Sequence, residues 1–133
     1  LGRRLLTRVR DVMVSGDALP IVGLDATLGE AVVAMSGKGM GMTAVVDAAG
    51  RIAGIFTDGD LRRCLDRGNG IAGVGVRDVM TRTPRTIGPD RLAIDCVDLM
   101  EAVPKVTVLL VADDDRRLVG ALHLHDLFRA RVV

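Results

Sequence analysis

The sequence predicts an α/β (α+β) fold of two β-α-β-β-α repeats packed about a pseudo-twofold axis. Three observations predict it. Arg10-Asp11-Val12-Met13 returns as Arg77-Asp78-Val79-Met80, and Gly54 with Asp60-Leu61 returns at nearly the same spacing as Gly120 with Asp126-Leu127. Such repetition fixes an architecture before any single element does. Both halves then run through the same alternation of β-rich and helix-periodic segments. Finally, a copy of roughly 60 residues is too small to bury a good core alone, so the two are expected to pack together with any ligand at their seam.

In the first half, Ala18-Leu19-Pro20-Ile21-Val22 reads as a short strand, because Pro20 forbids a helix and is tolerated where a strand begins. Thr27 and Glu30 make a capping box. The helix it opens carries Leu28, Ala31, Val32 and Met35 on one face, and Gly37, Gly39 and Gly41 end it. Met42–Asp47 and Arg51–Thr57 are β-rich runs around Ala48-Ala49-Gly50, a hairpin. Asp58 to Leu65 resumes helical spacing.

The second half repeats the string. Thr83–Ile87 is its first strand, and Leu92–Ala102 its helix, with Leu92, Cys96, Leu99 and Val103 expected on the inner face. Val106–Val111 and Arg117–His123 form the hairpin around a solvated Asp113-Asp114-Asp115 turn, and His125–Arg131 is the closing helix. The expected organisation is therefore 1–8 as the tail of a preceding element, 9–67 as repeat 1, 68–75 as a flexible linker with glycine at 68, 70, 73 and 75, and 76–133 as repeat 2. A chain that starts at Leu1 within such a tail reads as a piece of a longer protein.

Composition narrows the function. Of 133 residues 49% are apolar but only 2% aromatic, so the core is built from Val, Leu, Ile, Ala and Met, and a platform for stacking single-stranded bases is disfavoured. Eighteen basic against seventeen acidic side chains leave +1, which disfavours nucleic acid as a partner. No apolar run approaches the roughly 20 residues that span a bilayer, and no signal peptide is evident; the chain reads as cytoplasmic, with no membrane partner. Cys64 and Cys96 lack metal or disulfide spacing and read as buried thiols.

The element order, the Asp-Val-Met lead motif and the terminal Gly-Ile-Phe-Thr-Asp-Gly-Asp-Leu over 54–61 resemble a CBS domain, and two in tandem resemble a Bateman module, from about Val9 to Arg129. Gly39–Asp47, Gly54–Arg63 and His123-Leu124-His125-Asp126-Leu127 further resemble the C-terminal regulatory half of bacterial arabinose 5-phosphate isomerases. That resemblance implies no catalysis in this chain and no catalytic residue, the isomerase chemistry lying in an N-terminal sugar isomerase domain of the same polypeptide.

It also implies a ligand site. In CBS pairs a Ser/Thr-x-x-Asp at the hairpin-to-helix junction grips a nucleotide ribose, which here falls on Thr57, Asp58 and Asp60. A carboxylate with unused acceptor sites takes both ribose hydroxyls as donors. Thr57 and Asp60 equally form a helix capping box, and the two roles share residues. In the second copy Asp126 is kept but His123 stands where Thr57 stood, with His125 two residues on, so the two half-sites are expected to differ. Two histidines make half a metal site, and no metal is expected. The same resemblance brings Met42, Thr43, Thr86, Lys105 and Thr107 to the cleft, whereas Ile21, Val22, Ala44 and Val106 read as core.

The expected function is ligand sensing: no cofactor is required, and a regulatory nucleotide or nucleotide sugar, CMP-Kdo by analogy with lipopolysaccharide synthesis or an adenine or cytidine nucleotide, binds in the cleft of a homodimer of CBS pairs. The alternative is a structural oligomerisation module without a ligand. Nothing resembles a nucleophile with its base or a phosphate-binding loop.

Overall fold

The computed structural model describes residues 5–68 and 70–133. In chain order the elements are α1 (Val9–Val12), β1 (Ile21–Gly23), α2 (Leu28–Lys38), β2 (Met42–Val46), β3 (Ile52–Thr57), α3 (Asp58–Asp66), β4 (Thr86–Ile87), α4 (Asp95–Glu101), β5 (Val108–Ala112), β6 (Leu118–His123) and α5 (Leu124–Arg129). Short 3-10 turns occupy Gly16–Ala18 and Val76–Asp78. The chain divides into two compact units, one of Asp17–Pro84 and one that joins the chain up to Gly16 with Arg85–Val133.

Within Asp17–Pro84, β1 runs parallel to β2 and β2 antiparallel to β3, with Ile21 opposite Ala44 and Ala44 opposite Ile55. The strand begins at Ile21, just after Pro20, whose carbonyl accepts from Ala44 N–H at 3.0 Å. The expected capping box forms: Thr27 Oγ1 accepts from Glu30 N–H at 3.1 Å while Glu30 Oε1 accepts from Thr27 N–H at 3.0 Å. Gly39 ends α2 in the left-handed region at φ 68°, a conformation that glycine adopts without penalty. Leu28, Ala31, Met35, Val45, Phe56, Cys64 and Val76 form the core, with Val32 only partly buried against it.

The second unit has the same layout, β4 parallel to β5 and β5 antiparallel to β6. Its core joins Val9, Ile87, Ala93, Cys96, Met100, Leu109, Val111, Leu122, Leu127 and Val132. Burial pushes the Cys96 thiol up to about 11, with Asp95 adding to the rise and Arg91 opposing it. Both cysteines are buried and free. The two hairpins turn alike: the Asp47 carboxylate accepts from the N–H groups of Ala49 and Arg51, and Asp113 from those of Asp115 and Arg117, all at 2.9 Å. Asp113 thus holds its turn rather than being merely solvated.

Three expectations need correction. The inward residues of α4 and the turn before it are Ala93, Cys96 and Met100; of the expected Leu92, Cys96, Leu99 and Val103 only Cys96 is fully buried, while Leu99 is partly buried and Val103 is 89% exposed. The reason is local: i to i+3 bonds from Asp95 to Leu92 and Cys96 to Ala93 delay the α-helix to Asp95 and shift its phase, and the backbone leaves helical geometry at Ala102 (φ −59°, ψ 138°), so Val103 lies beyond the helix. Ile21 is exposed and Val22 and Val106 are half-buried, so of four expected core residues only Ala44 is fully enclosed. The glycine-rich 68–75 stretch is tied down at its end, where Val74 carbonyl accepts from Leu28 N–H at 2.8 Å and Gly75 bridges Thr27; Asn69 lies outside the described residues.

The sequence repeats and the packing units are different partitions of the chain. Val9, which leads repeat 1, is fully buried in the core that holds β4, β5 and β6, whereas Val76, which leads repeat 2, is fully buried in the core that holds β1, β2 and β3. Each burial is worth about 2 kcal/mol. The backbone follows: Thr81 exchanges two hydrogen bonds with Ile55 at 2.8 and 2.9 Å, and Val14 exchanges two with Ala121 at 2.8 and 3.0 Å. The thioether of each lead motif then lies over a glycine. A Cβ on Gly54 would sit 2.7 Å from Met80 Sδ and 2.7 Å from Thr81 O, and one on Gly120 would sit 2.6 Å from Met13 Sδ and 2.9 Å from Val14 O. The repeated Met and the repeated Gly are therefore one contact made twice.

Candidate functional site

The residues that carry the candidate chemistry gather at two helix starts, one per unit. At the first, Thr57 ends β3 with extended backbone and caps α3. Its Oγ1 accepts from Asp60 N–H at 3.2 Å, and Asp60 Oδ2 accepts from Thr57 N–H at 3.0 Å and from the Thr57 hydroxyl at 3.1 Å. Arg63, one turn on, donates to Asp60 Oδ1 at 2.6 Å. The Thr81 hydroxyl adds contacts of 3.3 and 3.4 Å to both oxygens. Asp60 is 7% exposed, and these donors use its acceptor sites fully.

Here the capping role is formed outright. Thr57→Ala is expected to lower the unfolding free energy by about 1 kcal/mol, the ordinary worth of an N-cap, and Thr57→Ser to restore most of it, read from urea midpoints. Equal midpoints for all three proteins would refute the cap.

The other first-half candidates border this helix start unequally. Asp58 is exposed; its N–H donates to Gly41 carbonyl at 3.0 Å, and its Oδ2 lies beside Gly41, where a Cβ would be 3.0 Å away. Met42 pairs with Thr57 across β2 and β3, but Met42 and Thr43 are both fully buried. The Thr43 hydroxyl donates to Ala44 carbonyl at 3.2 Å. A half-open polar cleft of about 250 Å³ lies between the Asp60, Arg63, Cys64 and Arg67 side of α3 and the segment Asp78-Val79-Met80.

At the second helix start His123 takes the place of Thr57. Its Nδ1 accepts from His125 N–H at 3.0 Å, and Asp126 Oδ2 accepts from His123 N–H at 2.8 Å. Arg129 donates to Asp126 Oδ1 at 2.5 Å, the same i to i+3 pair as Asp60 with Arg63. The two imidazole rings lie 4.5 Å apart, tilted by 52°. Burial, then the neighbouring His125 and Arg129, lower the His123 pKa below the ordinary 6.5, while Asp126 opposes them.

The two carboxylates are not equivalent. Thr81 donates to Asp60, but the matching position after the other lead motif is Val14, which has no hydroxyl. Asp126, 8% exposed, thus accepts from two groups where Asp60 accepts from four. Thr107 is exposed and its carbonyl accepts from Leu124 N–H at 2.8 Å, as Gly41 does for Asp58. Thr86 is half-buried in β4 opposite Leu110. Lys105 is exposed and pairs with Glu101 at 3.3 Å. Among the described residues no group of three or more His, Cys, Asp or Glu is placed to hold a metal ion.

Sequence reasoning missed two participants, Arg129 and Thr81, and left Arg63 open between an anionic ligand and solvent, not paired with Asp60. Arg63 and Arg129 are each three residues after the repeated aspartate, a signal the repeat alignment carries. Thr81 had no such signal, because its contact depends on the exchange of lead segments. Arg85, next to the candidate Thr86, closes the end of α4, donating to Leu99, Ala102 and Pro104 carbonyls at 2.9, 2.8 and 2.6 Å.

Comparison with known proteins gives a consistent picture. The CBS domain family matches residues 9–67 and 76–133. The chain is 50% identical over all its 133 residues to arabinose 5-phosphate isomerase KdsD of Pseudomonas aeruginosa, and spans 40% of that relative's length. Among solved structures, CBSX2 in complex with AMP superposes with a TM-score of 0.78 at 22% identity, covering 95% of this chain and 96% of its own. The CBS domain pair of protein MJ0100, in complex with 5′-methylthioadenosine and S-adenosyl-L-methionine, gives 0.80 at 23% identity over 93% and 94%. These two likenesses establish the fold.

Proposed function

The chain belongs to the CBS domain family, and we propose that it is the tandem regulatory pair of an arabinose 5-phosphate isomerase, sensing a nucleotide-type ligand through its two helix starts. The observation that carries the assignment is the 50% identity along the whole chain to an isomerase of which it spans 40%. In this reading catalysis belongs to the sugar isomerase domain N-terminal to the pair in a cytoplasmic protein that feeds lipopolysaccharide synthesis. Among the described residues no helix is long and apolar enough to cross a membrane.

Two structural neighbours were solved with adenine-type ligands, which supports a nucleoside as the common element. Asp126 supports it chemically, because its unused acceptor capacity suits a ribose diol. A nucleotide sugar of the CMP-Kdo kind fits a feedback role. The coupling is linkage: a ligand that prefers one arrangement of the pair shifts the attached domain by its difference in affinity for the two arrangements.

Thermal shift against AMP, ATP, CMP and CMP-Kdo tests this reading. A ligand at a hundred times its Kd adds about 2.7 kcal/mol to the folded state, so at least one of the four is expected to raise the melting temperature by several degrees. No rise with any at millimolar concentration would favour the second reading, an assembly module. Exposed Leu65 and Phe128, 51% and 53% accessible on α3 and α5, give that reading its basis. In both readings the pair forms a homodimer, which sedimentation checks.

A further inference from the structure

The two repeats start their last helix with different chemistry, and only one of the two caps can change its charge near neutral pH. Thr57 caps α3 with a hydroxyl, which accepts a hydrogen bond at any physiological pH. His123 caps α5 with imidazole Nδ1, which accepts from His125 N–H only while the ring is neutral at that nitrogen. Once both ring nitrogens carry protons, Nδ1–H faces the His125 N–H, donor against donor, and the contact is lost. We propose that His123 makes the start of α5 a proton-operated switch, closed when its imidazole is neutral and released when it is protonated.

The surroundings set its working range. The charged groups facing His123 from its own helix are His125 at 4.5 Å between ring centroids, Asp126 and Arg129. Asp126 is already committed to Arg129, which blunts its pull on an imidazolium. Across the sheet the residue opposite His123 is Val108, and the adjoining Thr107 offers a backbone carbonyl to Leu124; neither side chain ionises. Lys105 is paired with Glu101. On α1, which packs against β6, Arg10 is paired with Asp90 and Asp11 accepts from Arg8 N–H. Burial first, then the neighbouring His125 and Arg129, outweigh the opposing pull of Asp126, so the folded ring holds its proton less tightly than an unfolded one.

The sign follows from that order. A histidine whose folded pKa lies below its unfolded value contributes stability that is fully present above the unfolded pKa, near 6.5, and lost as pH falls through the folded one. The folded state then has to accept a proton it binds weakly and gives up a helix cap. Because His125 N–H and Asp126 belong to the same turn, release frees the amide and loosens the carboxylate beside it. The first repeat, capped by Thr57, has no such response.

Nitrogen-15 NMR of the histidine rings and of the His125 amide, followed from pH 8 to pH 5, tests the switch in the unmodified protein. The expected result is a His123 Nδ1 signal of the unprotonated, hydrogen-bonded type at pH 8. It should titrate below 6.5, with His125 amide protection falling about fivefold over the same interval, as loss of a cap of ordinary strength implies. His123→Thr, which installs the cap of the first repeat, is expected to remove that part of the pH dependence of the urea midpoint. A protonated Nδ1 at pH 8, a His125 amide indifferent to the His123 titration, or a folded His123→Thr variant with unchanged pH dependence would each overturn the proposal. The ring and amide signals decide the matter even if the variant does not fold.

Discussion

Gly120→Ala is expected to lower the unfolding free energy by about 2–3 kcal/mol, with a fall of roughly 5–10 °C in melting temperature. The added methyl would meet two atoms at once, Met13 Sδ at 2.6 Å and Val14 O at 2.9 Å. A thioether swings aside at small cost, but the carbonyl does not. Val14 O accepts from Ala121 N–H at 3.0 Å while Val14 N–H donates to Ala121 O at 2.8 Å, so retreat of the carbonyl breaks the bridge that fastens the lead segment to β6. Met13→Ala added to Gly120→Ala should therefore recover only part of the loss. Gly54→Ala should behave alike against Met80 and Thr81. Urea and thermal unfolding measure all three, and a Gly120→Ala protein within 1 °C of the parent would show that the lead segment does not lie where the structure places it.

Arg85→Ala is the second large expected effect, about 2 kcal/mol, in the range of hydrogen bonds to a charged group. One guanidinium gathers the Leu99 carbonyl, one of the acceptors that a helix end leaves unpaired, with the Ala102 and Pro104 carbonyls just beyond it. Alanine leaves the half-buried Leu99 carbonyl without this donor, while water takes over part of the role at the two exposed ones. Arg85→Lys should recover less than half, because an ammonium lacks the planar fork that spans three acceptors. Loss of amide protection confined to the end of α4 and the 102–106 stretch would place the effect where the contacts are; an Arg85→Ala protein as stable as the parent would remove Arg85 from that role.

These two predictions mark the boundary of what the sequence discloses. Contacts between residues a turn apart were legible: Thr27 with Glu30 and Thr57 with Asp60 are capping boxes in sequence and in space. The hairpins and the mixed fold were legible too, because repeated patterns reinforced one another. What stayed hidden depends on where distant segments dock. Nothing local in Arg-Asp-Val-Met says that Val9 completes the core of the second sheet and Val76 that of the first.

The candidate site shows the same division. The repeated aspartates were found at once, but the use made of their oxygens was not, because Thr81 reaches Asp60 only through the docked lead segment. Met42 and Thr43, expected beside a ligand, are enclosed. A strand that is buried on both faces and one that lines a cleft share the same β-rich composition. The misplaced face of α4 has a smaller cause, a delayed helix start that turns the inward positions by one residue.

The central claim, that the chain binds a nucleotide-type ligand through its helix starts, is tested most directly by isothermal titration with CMP-Kdo, AMP, ATP and CMP, using the parent, Asp60→Asn and Asp126→Asn proteins. The account predicts saturable binding of at least one of the four to the parent, weakened about tenfold or more by Asp126→Asn, the change expected when a hydrogen bond to a charged acceptor is lost. Absence of binding at millimolar concentration by all four, or binding unchanged in both asparagine variants, would contradict it.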